Sequence, residues 1–245
     1  KINIKFLTSP FDLLSIKYLK KFNLSHYKVP SGEITNIPYL ELIGSLNKTT
    51  FISTGMSNLL EIKKALKVLI SNGLSKDKIY VLHCHTDYPS RDEDLNLLSI
   101  RYLKDKLNVN VGYSDHSLGS EASIAAVALG AKVIEKHITL DTNLPGPDHR
   151  ASMNVKDFFN FVSSIRKTEK TIGSYKKEPS SRELKILKLV RKSICAKKNI
   201  IEGEVFSIDN LTTKRPLKGI SASEWYKLIG KKAHKSFLKD DLIKK

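Results

Sequence analysis

The sequence predicts an α/β fold built on parallel strands, and three observations support that prediction. Short apolar or β-branched runs alternate with stretches of helical period through the first two-thirds of the 245-residue chain. The strand-like runs are apolar throughout rather than alternating, which is typical of strands buried on both faces. Small polar residues and glycines come directly after these runs, where parallel strands carry their functional loops.

The order of these runs favours a barrel over an open sheet. Strands are predicted at residues 2–7, 26–29, 50–53, 79–84, 109–113 and 132–138, and helices at residues 11–22, 37–46, 58–72, 94–107, 121–129 and 155–172. Loops after every strand ring one mouth in a barrel, whereas an open sheet concentrates them at one switch point. Because such a barrel has eight strands, we predict a (β/α)8 TIM barrel lacking its first two β/α units. The chain begins with Lys1 rather than Met, so we expect a fragment that is inactive when purified alone.

The composition changes after about residue 173. Residues 174–187 are rich in polar residues and contain a proline, which indicates a linker between a barrel domain at 1–173 and a second domain at 188–245. The second domain has short strand-like runs, turns and little helical periodicity. We therefore predict a small, mostly-β domain at the C-terminus.

The bulk composition favours a cytoplasmic protein and is compatible with an anionic small-molecule substrate. The formal charge of +17 comes from lysines scattered over helical stretches, without an arginine-rich tract or a nucleic-acid-binding signature. This pattern predicts a solvated lysine surface and fits an anionic small-molecule substrate. Cys84 and Cys195 are the only cysteines, too few for a disulfide framework. No apolar run approaches the roughly 20 residues of a membrane helix.

Two histidines that follow neighbouring strands are candidate metal ligands. His116 ends the segment Ser114-Asp115-His116, and His137 ends the segment Glu135-Lys136-His137. Imidazoles from adjacent strands at a barrel mouth can share one divalent cation, with water and substrate oxygens completing the coordination. Such a set suits manganese better than a closed zinc site.

Several strand ends carry groups suited to an anion. Lys28 ends a buried strand, so its ammonium needs a polar partner. It binds either an anionic carboxylate or phosphate together with Ser31, or Glu33 in a salt bridge, and the sequence alone leaves both open. Ser9 and Ser53 lie in loops that resemble phosphate cradles.

Two further segments have contrasting interpretations. The loop at residues 146–152 presents Asp148, His149 and Arg150 together, so it is predicted to be functional, with a carboxylate that assists proton transfer or holds a sugar hydroxyl. In the run His83-Cys84-His85, strand alternation sends Cys84 to the opposite side from its neighbours. A three-ligand zinc cluster is therefore not expected, and Cys84 is predicted to be a small core residue.

Taken together, these motifs resemble one known family, the sialic acid synthases. The motifs that carry the resemblance are Lys28-Val29-Pro30-Ser31-Gly32-Glu33, Ile52-Ser53-Thr54-Gly55-Met56, Leu82-His83-Cys84, Tyr88-Pro89, Gly112-Tyr113-Ser114-Asp115-His116, Ile134-Glu135-Lys136-His137 and Gly146-Pro147-Asp148-His149. The C-terminal segments Arg191-Lys192-Ser193-Ile194 and Lys214-Arg215-Pro216 resemble that family's antifreeze-like (SAF) domain. The resemblance covers essentially the whole chain, in order. It implies a partial TIM barrel followed by a SAF domain.

The resemblance also implies a reaction and a set of site residues. The expected reaction is that of N-acetylneuraminate synthase, which condenses phosphoenolpyruvate with N-acetylmannosamine to a nine-carbon 2-keto acid and phosphate. In family terms His116 and His137 bind manganese or magnesium. The residues that match phosphoenolpyruvate-binding positions are Lys28, Ser31, Ser53, Ser114 and Ser9. Ser9 stands where the family commonly has threonine. Catalytic or sugar-binding positions are Glu33, Glu135, Asp148, Tyr88 and Thr86, and Arg215 reaches the other subunit's site in a swapped homodimer.

Alternatives remain open at this level. A synthase of N,N'-diacetyllegionaminate or pseudaminate would use the same chemistry on another amino sugar. Thr86 stands where many N-acetylneuraminate synthases have asparagine, which weakens any decision between N-acetylmannosamine and the di-N-acetylated sugar that leads to legionaminic acid. Another phosphoenolpyruvate-binding barrel of aldolase type, and a binding protein for nucleic acid or ice, fit the motifs less well.

Overall fold

The computed structural model describes residues 4–244. The chain forms two units, Lys1–Gly173 and Ser174–Lys245, each with its own hydrophobic core. Among the described residues, no helix has the length and apolar character needed to cross a membrane.

The first unit is built on one parallel sheet of five strands. The strands are β1 (His26–Val29), β2 (Thr49–Ser53), β3 (Ile79–Cys84), β4 (Asn110–Asp115) and β5 (Ile134–Lys136). Each strand pairs in parallel with the next strand along the chain. The helices are α1 (Leu13–Lys20), α2 (Ile37–Ser45), α3 (Leu59–Ser71), α4 (Ser99–Leu107) and α5 (Glu121–Ala128). The predicted α/β class and partial barrel are confirmed as a parallel half-barrel.

The first predicted strand, at residues 2–7, differs from the structure. Residues 2 and 3 lie outside the described part of the chain, and residues 4–7 form no strand. Ile4 and Phe6 are 81% and 67% exposed, so this apolar run is not packed into the sheet as the other strands are. An apolar run is therefore strand-like in sequence but needs a neighbouring strand to become one.

The last predicted strand, at residues 132–138, is split. The segment Ile134–Lys136 belongs to the five-stranded sheet, whereas β6 (Ile138–Thr139) pairs with β7 (Met153–Asn154). His137 separates the two pieces, and the helix α6 (Val155–Ile172) follows β7 directly. The chain thus changes partners at the residue predicted to bind metal.

Local sequence signals set the helix boundaries around the sheet. Asn58 caps α3 by accepting from the backbone of Leu60 and Glu61, while the Glu61 side chain accepts from the Asn58 backbone in a capping box. Asn108 ends α4 in the left-handed conformation, which asparagine tolerates better than most residues. These short connections bring the next strand back into the sheet and place the strand ends at one edge.

The second unit has little regular structure. It contains α7 (Ser181–Val190), the antiparallel pair β8 (Ser193–Ala196) and β9 (Leu211–Lys214), and the short helix α8 (Trp225–Leu228). Its core includes Ile194, Phe206, Leu211, Phe237 and Ile243. Part of the segment predicted as a linker is therefore helical, because Ser180 and Glu183 form a capping box that starts α7.

Gly44 lies where α2 packs against α3, and its replacement tests that contact. A Cβ there would lie 2.7 Å from the Leu69 carbonyl oxygen and 3.3 Å from its Cα. Gly44→Ala gains about 1 kcal/mol of helix propensity but overpacks against backbone, which costs about 1–3 kcal/mol. We expect a net decrease in the free energy of unfolding, measured by urea denaturation. Gly32→Ala is the control, because a Cβ at Gly32 would have no atom within 4 Å. A Gly44→Ala protein as stable as wild type would contradict the packing described.

Candidate functional site

A cavity of about 460 Å³ lies at the carboxyl ends of the sheet strands. It is lined by most of the residues predicted for the site: Ser9, Lys28, Ser31, Ser53, Thr86, Tyr88, Ser114, His116, Glu135, His137 and Asp148. These residues come from loops and strand ends spread over about 140 positions of the chain. Parallel strands bring them together because their carboxyl ends share one edge.

A buried polar cluster joins three strands at the floor of the cavity. Lys28 is 6% exposed, and its Nζ lies 3.1 Å from Oε1 of Glu135. The Ser114 hydroxyl donates to the same carboxylate oxygen at 2.6 Å. The sequence left open an anionic ligand or a salt bridge to Glu33 for Lys28. Within the protein, Lys28 forms its ion pair with Glu135, a partner that the sequence did not suggest.

Glu33 lies apart from this cluster, and the catalytic role that the resemblance implies for it stays a prediction. Its carboxylate accepts a hydrogen bond from the Asn36 amide at 2.6 Å, and Glu33 does not line the cavity. The cause is local: residues Ser31–Glu33 form a 3₁₀ turn, which points Glu33 back toward the start of α2. Ser31 and Gly32, from the same turn, do line the cavity.

Two serines and a glycine form a small-residue wall beside Lys28. Ser53 is 2% exposed, and its buried hydroxyl has no hydrogen-bond partner in the described part of the chain. The Gly55 N–H donates to the Ser31 hydroxyl at 3.0 Å. A Cβ at Gly55 would lie 2.4 Å from Cγ2 of Thr86, so only glycine allows this approach. A buried hydroxyl without a partner is a group ready to bind a ligand oxygen.

His116 is oriented by the backbone. Its Nδ1 lies 2.6 Å from the His85 carbonyl oxygen, which can only accept, so Nδ1 carries the proton and Nε2 keeps a free lone pair. Burial lowers the pKa of His116 below its ordinary value, and the neighbouring His137 acts in the same direction. Both effects favour the neutral imidazole at neutral pH, the form that binds metals.

The second predicted metal ligand lies close to the first. The ring centroids of His116 and His137 are 5.3 Å apart, with the rings at 81°. Tyr88 packs on His116 with 4.0 Å between centroids and meets His137 at 5.4 Å. Asp148 is half exposed, and its Oδ2 lies 3.9 Å from Nδ1 of His137.

These histidines fit one divalent cation held by two protein ligands. The tautomer of His116 leaves Nε2 unprotonated, with the Ser114 hydroxyl 3.5 Å away, and the His137 ring lies 5.3 Å from the His116 ring between centroids. No group of three or more potential ligands clusters among residues 4–244. The pair is thus compatible with an open coordination sphere, in which water and substrate supply the remaining ligands.

Cys84 is buried, as the sequence predicted, but it also contacts the candidate site. It lines the cavity instead of serving only as a core residue, and its Sγ lies 3.8 Å from Nδ1 of His116. Burial raises the pKa of this thiol. Strand alternation does hold here, since His83 points away and bonds the Leu95 carbonyl at 2.7 Å. The missed signal was register: Cys84 pairs with Ser114, so both side chains share the cavity face.

The remaining predicted residues lie outside this cavity. His149 bonds the Thr139 hydroxyl at 2.8 Å, and neither it nor Arg150 is a lining residue. Arg215 follows β9 in the second unit, and its proposed reach to a partner subunit stays a prediction.

Comparisons with known proteins identify the family. Residues 1–177 match the model of the NeuB family, and residues 191–245 match the SAF domain. The chain is 50% identical to an N,N'-diacetyllegionaminic acid synthase of Campylobacter jejuni over 244 residues, covering 100% of this chain and 73% of that protein. It is 43% identical over 232 residues to the synthase of the same name from Legionella pneumophila, covering 94% and 65%. The human N-acetylneuraminate-9-phosphate synthase is 35% identical, with 99% and 67% covered.

Structural alignments with solved proteins point to the same family as these sequence comparisons. The sialic acid synthetase of Leptospira borgpetersenii, in complex with citrate, aligns with a TM-score of 0.70 at 35% identity, covering 75% of this chain and 63% of that one. A spore coat polysaccharide biosynthesis protein E from Chromobacterium violaceum, named as putative, aligns with a TM-score of 0.81 at 26% identity, covering 99% and 73%. The chain therefore belongs to the NeuB family of phosphoenolpyruvate-condensing nonulosonic acid synthases and carries a C-terminal SAF domain.

Proposed function

We propose that this protein condenses phosphoenolpyruvate with a di-N-acetylated amino sugar to form N,N'-diacetyllegionaminate and phosphate. The observation that carries the reaction is the cavity that joins Lys28, Glu135 and the unpartnered Ser53 hydroxyl to two adjacent imidazoles. One part of this cavity suits a phosphorylated carboxylate, and the other suits an aldehyde that must be polarised.

Phosphoenolpyruvate is assigned to the Lys28 side of the cavity. The Lys28 ammonium is nine-tenths buried, so its attraction for an anion is less screened than that of the surface lysines. Ser31, Ser53 and Ser114 supply hydroxyls around it. Holding the enol carbon in line with the acceptor contributes several kcal/mol through orientation alone.

The family generally uses a divalent metal, and His116 and His137 are the residues that would hold it here. When bound, such an ion supplies Lewis-acid polarisation of the sugar's aldehyde oxygen. His116 presents Nε2 because the His85 carbonyl fixes its tautomer. Tyr88 packs against both rings and limits their rotation.

The proposed reaction balances with one water. The C3 carbon of phosphoenolpyruvate attacks the aldehyde carbon, a C–C bond forms, and the aldehyde oxygen gains a proton as it becomes a hydroxyl. Water adds at C2, and the C–O bond to phosphate breaks to leave the 2-keto acid. Glu135 is the carboxylate at the phosphoenolpyruvate side and is assigned to take the proton from water. Asp148, beside His137, is assigned to the sugar hydroxyls or to the proton delivered to the aldehyde oxygen.

The choice of acceptor follows the relatives. Proteins named N,N'-diacetyllegionaminic acid synthase are 50% and 43% identical to this chain, whereas the human N-acetylneuraminate-9-phosphate synthase is 35% identical. The comparisons therefore favour legionaminate chemistry over the N-acetylneuraminate reaction predicted first from the sequence. Thr86, on the cavity wall against Gly55, is in a position to contribute to this preference. Manganese as the metal and a swapped homodimer with Arg215 at the partner's site complete the proposal.

Lys28→Met tests the anion site. Losing one charge-assisted hydrogen bond of about 1.5–3 kcal/mol should weaken phosphoenolpyruvate binding about 10–100-fold. The variant also leaves Glu135 without its cation, which adds repulsion. Calorimetric titration measures the dissociation constant, with Lys63→Met on the exposed face of α3 as the matched control. Unchanged binding in Lys28→Met would remove Lys28 from the site.

Metal binding tests the histidine pair. His116→Ala and His137→Ala should each weaken Mn²⁺ binding by more than the roughly 10–100-fold typical for loss of an outer hydrogen-bond partner. Electron paramagnetic resonance of free Mn²⁺ gives the affinity directly. His234→Ala, in the second unit, is expected to bind as wild type does. Equal affinities in all four proteins would place the metal elsewhere.

A panel of acceptor sugars tests the assignment of the sugar substrate. We expect phosphate release with the di-N-acetylated amino sugar to exceed that with N-acetylmannosamine by at least about tenfold in kcat/KM, since pocket contacts discriminate at this level. Thr86→Asn should narrow the ratio, and mass spectrometry identifies the nine-carbon product. Preference for N-acetylmannosamine in the wild-type protein would restore the N-acetylneuraminate assignment.

A further inference from the structure

A buried ion pair between Lys136 and Asp115 lies at the ends of β4 and β5, one residue before each of the two histidines. The Lys136 Nζ is 3.0 Å from Oδ2 of Asp115, and the side chains are 2% and 0% exposed. Neither residue lines the candidate site. Burying two charges is costly, and the attraction between them often does no more than offset that cost. A stability gain alone therefore does not explain why this pair occurs here.

Every acceptor position of the Asp115 carboxylate is used. Oδ1 accepts from the backbone N–H and the hydroxyl of Ser117 at 2.9 and 2.7 Å. Oδ2 accepts from the Ser123 hydroxyl at 2.6 Å and from Lys136. The Lys136 ammonium also donates to the Ser117 carbonyl oxygen. One carboxylate thus joins the end of β4, the end of β5 and the first turns of α5.

The position of the pair in the chain links it to the proposed metal ligands. Asp115 and Lys136 are partners in the parallel register of β4 and β5. Each is followed immediately by a histidine, His116 and His137. Side chains alternate along a strand, so Ser114 and Glu135 face the cavity while the ion pair lies on the reverse side. The next residues, the histidines, face the cavity again.

We propose that the Asp115–Lys136 pair is a positioning device that fixes the separation and orientation of the His116 and His137 rings. This inference rests on the proposed metal site and deepens it. A cross-strand link one residue before each ligand limits how far the two ends can slide or splay. His137 is where the chain leaves the five-stranded sheet, so its backbone depends on this link more than a residue within a strand would.

The test separates positioning from stability by removing both charges at once. Asp115→Asn alone leaves the buried Lys136 ammonium without its counter-charge and should lower the unfolding temperature. The double variant Asp115→Asn/Lys136→Met leaves no uncompensated charge and should regain most of that stability, because well-packed neutral replacements are often no worse than a buried pair. Its Mn²⁺ dissociation constant should remain about 10–100-fold above wild type. Leu69→Ala, a core change in α3 away from the cavity, controls for stability loss without loss of positioning.

A second measurement reads ring geometry without metal. In ¹⁵N-histidine spectra of the metal-free chain, assigned with His116→Gln and His137→Gln, wild-type His116 should hold the Nδ1–H tautomer that its bond to the His85 carbonyl requires. The double variant should shift His116 toward tautomer averaging. Unchanged ring signals in the double variant, or Mn²⁺ affinity that returns together with stability, would overturn the inference. Absence of Mn²⁺ binding in wild type would refute the proposed metal site, while the ring signals still decide on positioning.

Discussion

The parallel register of β4 and β5 is the constraint on which the site depends. It pairs Ser114 with Glu135 and Asp115 with Lys136. Alternation then gives the two faces different chemistry, with hydroxyl and carboxylate toward the cavity and a closed ion pair behind it. A shift of one residue in either strand would turn that strand's side chains to the opposite face and break both of these pairings. The strand pairing, more than any single side chain, therefore determines what the cavity can bind.

The charged groups of the first unit fall into two physical classes. In the Asp115–Lys136 pair the carboxylate has all its acceptor positions occupied and both side chains are shielded from solvent, so the pair is suited to a structural role. The Lys28–Glu135 pair is open on the cavity side, with the Glu135 side chain 36% exposed. An open pair can exchange part of its interaction for a ligand, whereas a saturated pair loses by any exchange. This difference distinguishes the Lys28–Glu135 pair, which is proposed to bind the ligand, from the Asp115–Lys136 pair, which is proposed to position the strand ends.

Sequence reasoning located the strands and most of the cavity residues because both depend on short-range patterns. Apolar runs and the polar residues after them predicted β1 to β4, and the alternation rule correctly turned His83 away from Cys84. Sequence reasoning missed the features that depend on contacts between residues far apart in the sequence. The ion-pair partner of Lys28 is 107 positions away at Glu135, and the position of Cys84 on the cavity wall follows from cross-strand register. Three of the four residues at 4–7 are apolar, yet the segment forms no strand because strand formation depends on pairing and packing rather than on composition.

The net charge of the protein surface differs from the charge inside the cavity, where Lys28 and Glu135 form an open ion pair. The chain carries +17 overall, so its long-range field attracts anions and speeds their encounter at low salt. Inside the cavity, Glu135 offsets Lys28, and Asp148 adds a further carboxylate. The lysine surface therefore acts on the rate at which anions arrive, whereas inside the cavity the carboxylates offset the positive charge of Lys28. Under the proposed function, a divalent cation at the histidine pair would add positive charge beside a bound anion, and metal binding and phosphoenolpyruvate binding would then each strengthen the other by the same factor.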